Sequence, residues 1–135
     1  MATRTATISA DGIQEREVIF VKYELNQNTD VEGQPTGTTR GGKIVVRVKS
    51  RDDGNTDILE WMIDTYMSKS GTISFPNREG GEMKHLSFKE GYVVDYAETY
   101  DSTNDLLQYE EFTISAKEIQ VGNARHNNRW TLDNN

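Results

Sequence analysis

The run Lys43-Ile44-Val45-Val46-Arg47-Val48-Lys49-Ser50 sets the period by which the rest of the chain is read. Ile44, Val46 and Val48 fall on one face, and Lys43, Arg47 and Lys49 fall on the other. That is the two-residue repeat of a strand with one side against a core. Arg51-Asp52-Asp53-Gly54 ends the run as a turn. Upstream, Gln14 to Leu25 is a second strong strand. Ile19, Val21, Tyr23 and Leu25 share a face expected to be buried along its length. Val18, Phe20, Lys22 and Glu24 share the opposite face, apolar at its start and charged at its end. Thr3 to Ala10 has modest β character, and Asp11-Gly12 after it is a two-residue hairpin signal.

The two strong strands are joined by Asn26-Gln27-Asn28-Thr29-Asp30-Val31-Glu32-Gly33-Gln34-Pro35-Thr36-Gly37-Thr38-Thr39-Arg40-Gly41-Gly42. Only Val31 is apolar here, and the stretch holds four of the chain's 11 glycines and one of its two prolines. Connections in compact domains run to about 4–6 residues, and structureless ones beyond about 12–15 are mostly functional or disordered. Two readings stand: a slack surface loop, or an arm over 27–42 that becomes ordered against another molecule.

Downstream of the turn, residues 55–69 read as the one helix. Asn55 or Thr56 can cap it, and Asp57 and Glu60 suit its positive N-terminal end. Lys69 and Gly71 mark its stop. Ile58, Leu59, Met62, Ile63 and Tyr66 give one apolar face. Trp61 lies off that stripe, so it either packs at the helix edge or contacts a partner subunit, where Trp is favoured.

From Gly71 on, the pattern is strand throughout. Thr72-Ile73-Ser74-Phe75 is short, and Pro76 confines its end to an edge or a turn. Residues 77–82 form a turn, Met83 to Phe88 a strand, and Glu90-Gly91 a turn or bulge. Tyr92 to Tyr100 and Leu106 to Val121 are long strands around the polar turn over 101–105. In the last of them the apolar phase runs Phe112, Ile114, Ala116 and then Ile119, Val121, so a bulge is expected near Lys117-Glu118. The tail from Asn123 has only Trp130 and Leu132 as anchors. Seven or eight strands and one helix in 135 residues imply a small antiparallel β-barrel or a sandwich in a single domain over 1–135.

Composition narrows the function. The net charge is −7 with both signs interspersed, whereas a nucleic-acid binder needs a basic stripe to neutralise phosphates. There is no cysteine, which excludes disulfides and thiolate metal sites. No signal peptide and no membrane-spanning run is expected, so synthesis in the cytoplasm is. His85 and His126 lack partners at metal-ligand spacing. No serine occupies a Gly-x-Ser-x-Gly turn, and Gly41-Gly42 leads into a strand rather than a phosphate-binding helix. Asp52-Asp53 and Glu110-Glu111 are neighbours in sequence, and neighbours in a strand point to opposite faces, so neither pair is poised to share a proton. Neither an enzyme nor a cofactor is expected. Spare aromatics, a long polar arm and a loose tail suit a module that assembles with copies of itself.

The residues resemble the tube protein of type VI secretion systems, the Hcp (TssD) family, in a divergent branch. The likeness begins at Tyr23-Glu24-Leu25-Asn26-Gln27-Asn28-Thr29-Asp30 and continues through Gly33-Gln34-Pro35 and Arg40-Gly41-Gly42-Lys43-Ile44. Leu59-Glu60-Trp61-Met62, Lys69-Ser70-Gly71-Thr72-Ile73, Phe88-Lys89-Glu90-Gly91-Tyr92 and Glu111-Phe112-Thr113-Ile114-Ser115 follow in order. The resemblance implies a small β-barrel with one flanking helix, built into hexameric rings that stack as a hollow tube. A contractile sheath would expel that tube with a spike at its tip, carrying effectors out of the cell or into a target. It implies no catalysis, no cofactor and no metal. The family's extended loop falls on the arm, which assigns subunit and ring-stacking contacts to Thr29, Asp30, Gln34, Pro35, Thr39 and Arg40. The tube of a phage tail or an extracellular injection particle is the first alternative. A monomeric ligand-binding barrel is the second.

Overall fold

The computed structural model describes residues 5–50, 53–76, 84–103, 108–128 and 130. The strands are β1 (Ala6–Ala10), β2 (Ile13–Asn26), β3 (Arg40–Lys49), β4 (Lys69–Phe75), β5 (Lys84–Tyr100), β6 (Gln108–Val121) and β7 (Ala124–Asn127). One helix, α1 (Asp57–Ile63), sits between β3 and β4. The order is β3-β2-β1-β4-β5-β6, and β3 also pairs with β6, so these six strands close into an antiparallel barrel. Closure removes the free edges that would otherwise recruit other chains. Pairing of β3 with β6 stops at Lys43 and Ser115, and β7 takes over along β6 from Glu118 to Val121. The expected turn over 77–82, Met83, Leu106 and Leu132 lie outside the described residues, and the turn over 101–105 does so in part.

The core is the inner face of this barrel. Ile44, Val46 and Val48 are fully buried, as their alternation requires, and they meet Ile73, Leu86, Phe88, Phe112 and Ile114. The long strands do not keep one parity along their length. On β2 the register steps between Val18 and Phe20, leaving Ile19 as an extra residue in a bulge. Arg16 and Val18 therefore point inward before it, and Val21 and Tyr23 pack on the core after it. Ile19, expected in the core, is exposed, because it is itself the inserted residue, and the inward parity changes from even to odd positions across it. A second step lies between Glu24 and Leu25, where Gly42 on β3 is the extra residue at φ +95°, and Leu25 is turned outward.

The phase change expected at Lys117-Glu118 is present, since Ala116 and Ile119 are both buried. It is shared with β5, whose buried set shifts from Leu86 and Phe88 to Gly91 and Val93. Glu90 makes that step at φ +52°, a left-handed conformation unusual for a side chain with a Cβ. Residues 84–100 are accordingly one bent strand and not two.

The helix is shorter than the apolar pattern suggests, ending at Ile63 instead of residue 69. Asp64 is extended, and its Oδ1 accepts the Tyr66 amide at 3.0 Å, a local turn that competes with helix. Only Ile58 and Trp61 are buried, while Ile63 and Tyr66 face solvent. With two turns available, the indole at position 61 fixes the buried face, not the longer aliphatic stripe. Among the described residues no helix is long and apolar enough to cross a membrane.

Among the described residues one polar cluster is buried with the core. Arg16 and Glu110 are each 3% exposed. The Arg16 guanidinium donates to Glu110 Oε1 at 2.5 Å and to the Lys49 carbonyl at 2.6 Å. Tyr96 donates its hydroxyl to Glu110 Oε2 at 2.6 Å. Both carboxylate oxygens are thus satisfied, as a buried charge demands. Burial first, then the hydrogen bond and negative charge of Glu110, push the Tyr96 hydroxyl well above its ordinary pKa. In the unfolded chain a tyrosine ionises near pH 10. The folded state keeps the proton to higher pH, so this stabilisation is complete below about pH 10 and declines as pH rises further. Urea unfolding of Tyr96→Phe is expected to show a shallower loss of stability between about pH 9.5 and 11 than the parent chain. An unchanged slope would remove Tyr96 from the linkage.

Candidate assembly surfaces

The arm is an ordered hairpin that prolongs the β2–β3 ladder beyond Asn26 and Arg40. Thr29 and Pro35 form a bridge, and the Thr36 amide donates to the Asn28 carbonyl at 2.8 Å. Asp30 and Gln34 are linked by an amide-to-carbonyl bond of 2.9 Å, and the Gly33 amide donates to the Asp30 carbonyl at 3.0 Å. With Gly33 at φ +86° this is a three-residue turn closed by a glycine bulge. The Asp30 carboxylate stiffens it, accepting the amides of Glu32 at 2.9 Å and Gln34 at 3.0 Å. Gln27 Nε2 donates to Thr39 Oγ1 at 2.8 Å across the base. The slack-loop reading is thereby replaced by a self-supported arm.

Of the residues assigned to contacts, Thr29, Asp30, Gln34, Pro35 and Arg40 are exposed and Thr39 is partly buried at the base. Val31 stands at the tip, 102% exposed. An apolar side chain held fully in water by a rigid turn costs the isolated chain burial that a neighbour could supply. Asp30 and Gln34 spend their backbone groups, and Asp30 its carboxylate, inside the hairpin. Their first role is to hold the arm's shape.

The base is pinned to the opposite side of the seam. Asn128 Nδ2 donates to the carbonyls of Gly41 at 2.8 Å and Ala116 at 2.9 Å, while its own amide reaches Lys117 at 2.7 Å. A Cβ on Gly42 would come within 2.6 Å of the Ala116 carbonyl, so the backbones can close here only around glycine. Beside this staple an open groove of about 540 Å³ lies between the end of β2 and the β6–β7 hairpin. Leu25, Ile119, Val121 and Ala124 line it, with Lys84 and His126 among its polar walls.

Trp61 is not on an assembly surface. It is 1% exposed, stacks on Phe88 at 6.4 Å, meets Phe112 at 6.4 Å and donates to the Gly91 carbonyl at 3.2 Å. Its ring is enclosed by its own chain, which leaves no indole face for a partner. In the tail, Trp130 packs on Tyr92 at 6.0 Å. Among the described residues no group of His, Asp or Glu is arranged to hold a metal.

The sequence matches the family of the hemolysin coregulated protein Hcp (TssD) over residues 4–131. This chain belongs to the Hcp family. Its barrel superposes on Hcp1 of Flavobacterium johnsoniae with a TM-score of 0.83 at 34% identity, covering 92% of this chain and 99% of that one. Hcp1 of Escherichia coli EAEC 042 gives 0.72 at 16% identity, covering 95% and 100%, a likeness of fold alone. A tube and sheath terminator of an extracellular contractile injection system, PVC, gives 0.60 at 18% identity over 90% and 95%. Among curated protein sequences none matches the chain. The closed barrel with its one short helix is thus that of an Hcp fold.

Proposed function

We propose that the chain is the structural subunit of a type VI secretion inner tube, built as hexameric rings that stack into a hollow cylinder. The observation that carries this reading is the family match over residues 4–131, with the barrel kept at a TM-score of 0.83 to an Hcp1 structure. Hcp proteins are structural and not enzymes, and they form stacked rings and tubes. The tube of an extracellular injection particle shares the barrel plan, but its likeness here is weaker, 0.60 against 0.83. The finer parts of the proposal are assembly in the cytoplasm, expulsion by a contractile sheath behind a spike, and effectors carried in the lumen. The arm, through Thr29, Asp30, Gln34, Pro35, Thr39 and Arg40, contacts neighbouring copies.

Electron microscopy and solution mass of the purified chain test the proposal. Rings of about six chains are expected, with end-to-end stacks at higher concentration. A chain that stays monomeric at every concentration would overturn it. Deleting Glu32–Thr36 is expected to leave the thermal midpoint nearly unchanged, because shortening a surface loop alters closure entropy by well under about 1 kcal/mol. The same deletion should weaken assembly. Stacks that form as readily as before would remove the arm from the contacts.

A further inference from the structure

A tube that grows without limit needs a different, complementary surface at each end of its subunit, because a head-to-tail contact never closes on itself along the axis. The strand registers define the two ends. The arm, the first residue of β5 at Lys84 and the β6–β7 turn share one end, since Asn26 pairs with Arg40 and Leu86 with Val121. The other end carries the Asp11-Gly12 turn, the exit of β3 beside Tyr109 and the start of β4. The Asp11-Gly12 turn and the start of β4 are tied together, because the Asp11 amide donates to the Ser70 carbonyl at 3.1 Å and Lys69 Nζ to the Asp11 carbonyl at 2.7 Å.

Each end carries an apolar feature that the single chain leaves unpaired. At the arm end it is the groove in which Leu25 and Ala124 stand exposed above the core residues Ile119 and Val121. At the far end Tyr100 is 64% exposed at the close of β5, and the larger apolar pair is Ile63 and Tyr66, 70% and 91% exposed, in the segment that runs from the end of α1 to Lys69 and Ser70, which are bonded to the Asp11 turn. Their charges are opposed. Glu60 and Asp64 flank the exposed pair, whereas Lys84 and Arg125 line the groove. Arg125 also serves Glu118 at 3.4 Å and Gln120 at 3.2 Å, so Lys84 is the exposed cation the groove offers most freely. The arm's own tip, Val31 between Asp30 and Glu32, has similar chemistry but shares an end with the groove. It therefore cannot fill the groove of a copy stacked in the same direction.

We infer that the segment carrying Ile63 and Tyr66 seats in the Leu25–Ala124 groove of a second copy of this chain in the next ring, and that this contact sets the polarity of the stack. The inference rests on the proposed tube assembly. It places the arm beside the same junction, where it would embrace the incoming subunit.

The absence of native cysteine makes the contact directly testable. A disulfide forms only where two Cα atoms come within about 7 Å, so it reports proximity and direction together. The full-length double variant Tyr66→Cys/Ala124→Cys, oxidised with diamide after assembly, is expected to give covalent chains longer than six subunits on a non-reducing gel. Each single variant should give none. Bands that close at six subunits would place the contact within a ring and overturn the inference, as would stacked tubes that never cross-link. If the parent chain forms no rings at all, the tube reading itself fails, and that result is distinct from the other two. A second variant, Ile63→Ser/Tyr66→Ser, alters only exposed side chains. Its rings should persist, and half-maximal stacking should require a concentration about tenfold higher or more. Unchanged stacking by this variant would also overturn the inference.

Discussion

Replacing Glu110 with alanine is expected to lower the unfolding free energy by about 3–5 kcal/mol, out of a total that for a domain of this size is about 5–15 kcal/mol. The cost does not come from losing an attraction in a favourable medium. It comes from what remains: Arg16, 3% exposed, would keep its charge with only the Lys49 carbonyl to receive it, and the Tyr96 hydroxyl would lose its acceptor. The companion variant Arg16→Met/Glu110→Leu removes both charges and fills similar volume; it still leaves the half-buried Tyr96 hydroxyl and the Lys49 carbonyl without these partners, so it should recover part of the loss and lie within about 1–3 kcal/mol of the parent. Urea unfolding followed by far-ultraviolet circular dichroism, at concentrations below ring formation, separates the cases. If the double variant falls as far as Glu110→Ala, the pair matters through packing and not through charge balance.

How much of this was legible in the sequence depends on whether the signal was local. The alternation of Ile44, Val46 and Val48 named the core face of β3 correctly, because nothing interrupts the ladder between Lys43 and Lys49. The shift near Lys117 was also readable, since the apolar residues themselves change phase. On β2 the same logic failed. Ile19 and Val18 are both apolar, so neither face advertises the bulge, and the structure resolves the tie in favour of Val18. Arg16 and Glu110 are 94 residues apart. Each looks like an ordinary solvent-facing charge until the barrel closes and brings them together.

The arm shows a different kind of miss. Counting polar residues and glycines suggested a stretch without structure, yet Asp30-Val31-Glu32-Gly33 carries the chemistry of a specific turn. An aspartate that can accept amides ahead of it and a glycine at the left-handed position are both present. The groove beside it had no sequence signal at all, because Leu25 and Ala124 belong to opposite ends of the chain and meet only through the split of β3 from β6. For the contact role proposed for the arm, the hairpin geometry gives a physical reason: a preorganised arm loses less entropy on contact than a slack one.

Trp61→Ala is the second large effect, and it separates core from interface at one residue. If the indole served a neighbouring subunit, its removal would leave the isolated chain's stability unchanged and shift only the concentration at which rings form. Its enclosure by Phe88, Phe112 and the Gly91 carbonyl leads to the opposite expectation. Truncation should cost about 3–5 kcal/mol at any chain concentration, the range for emptying a large aromatic site that cannot collapse. Collapse is restricted here because a Cβ built on Gly91 would already lie 2.8 Å from Ile114 and 3.0 Å from Phe88, so the backbone beside the indole has no slack to move inward. Trp61→Phe should recover most of the loss, retaining a ring against Phe88 and forfeiting mainly the bond to Gly91, worth about 1 kcal/mol. Thermal unfolding of both variants over a dilution series is the decisive measurement, because a subunit contact makes the midpoint depend on concentration and a core contact does not. A large drop independent of dilution assigns Trp61 to the barrel, and leaves Ile63 and Tyr66, on the same segment but facing water, as the apolar groups available to a neighbour.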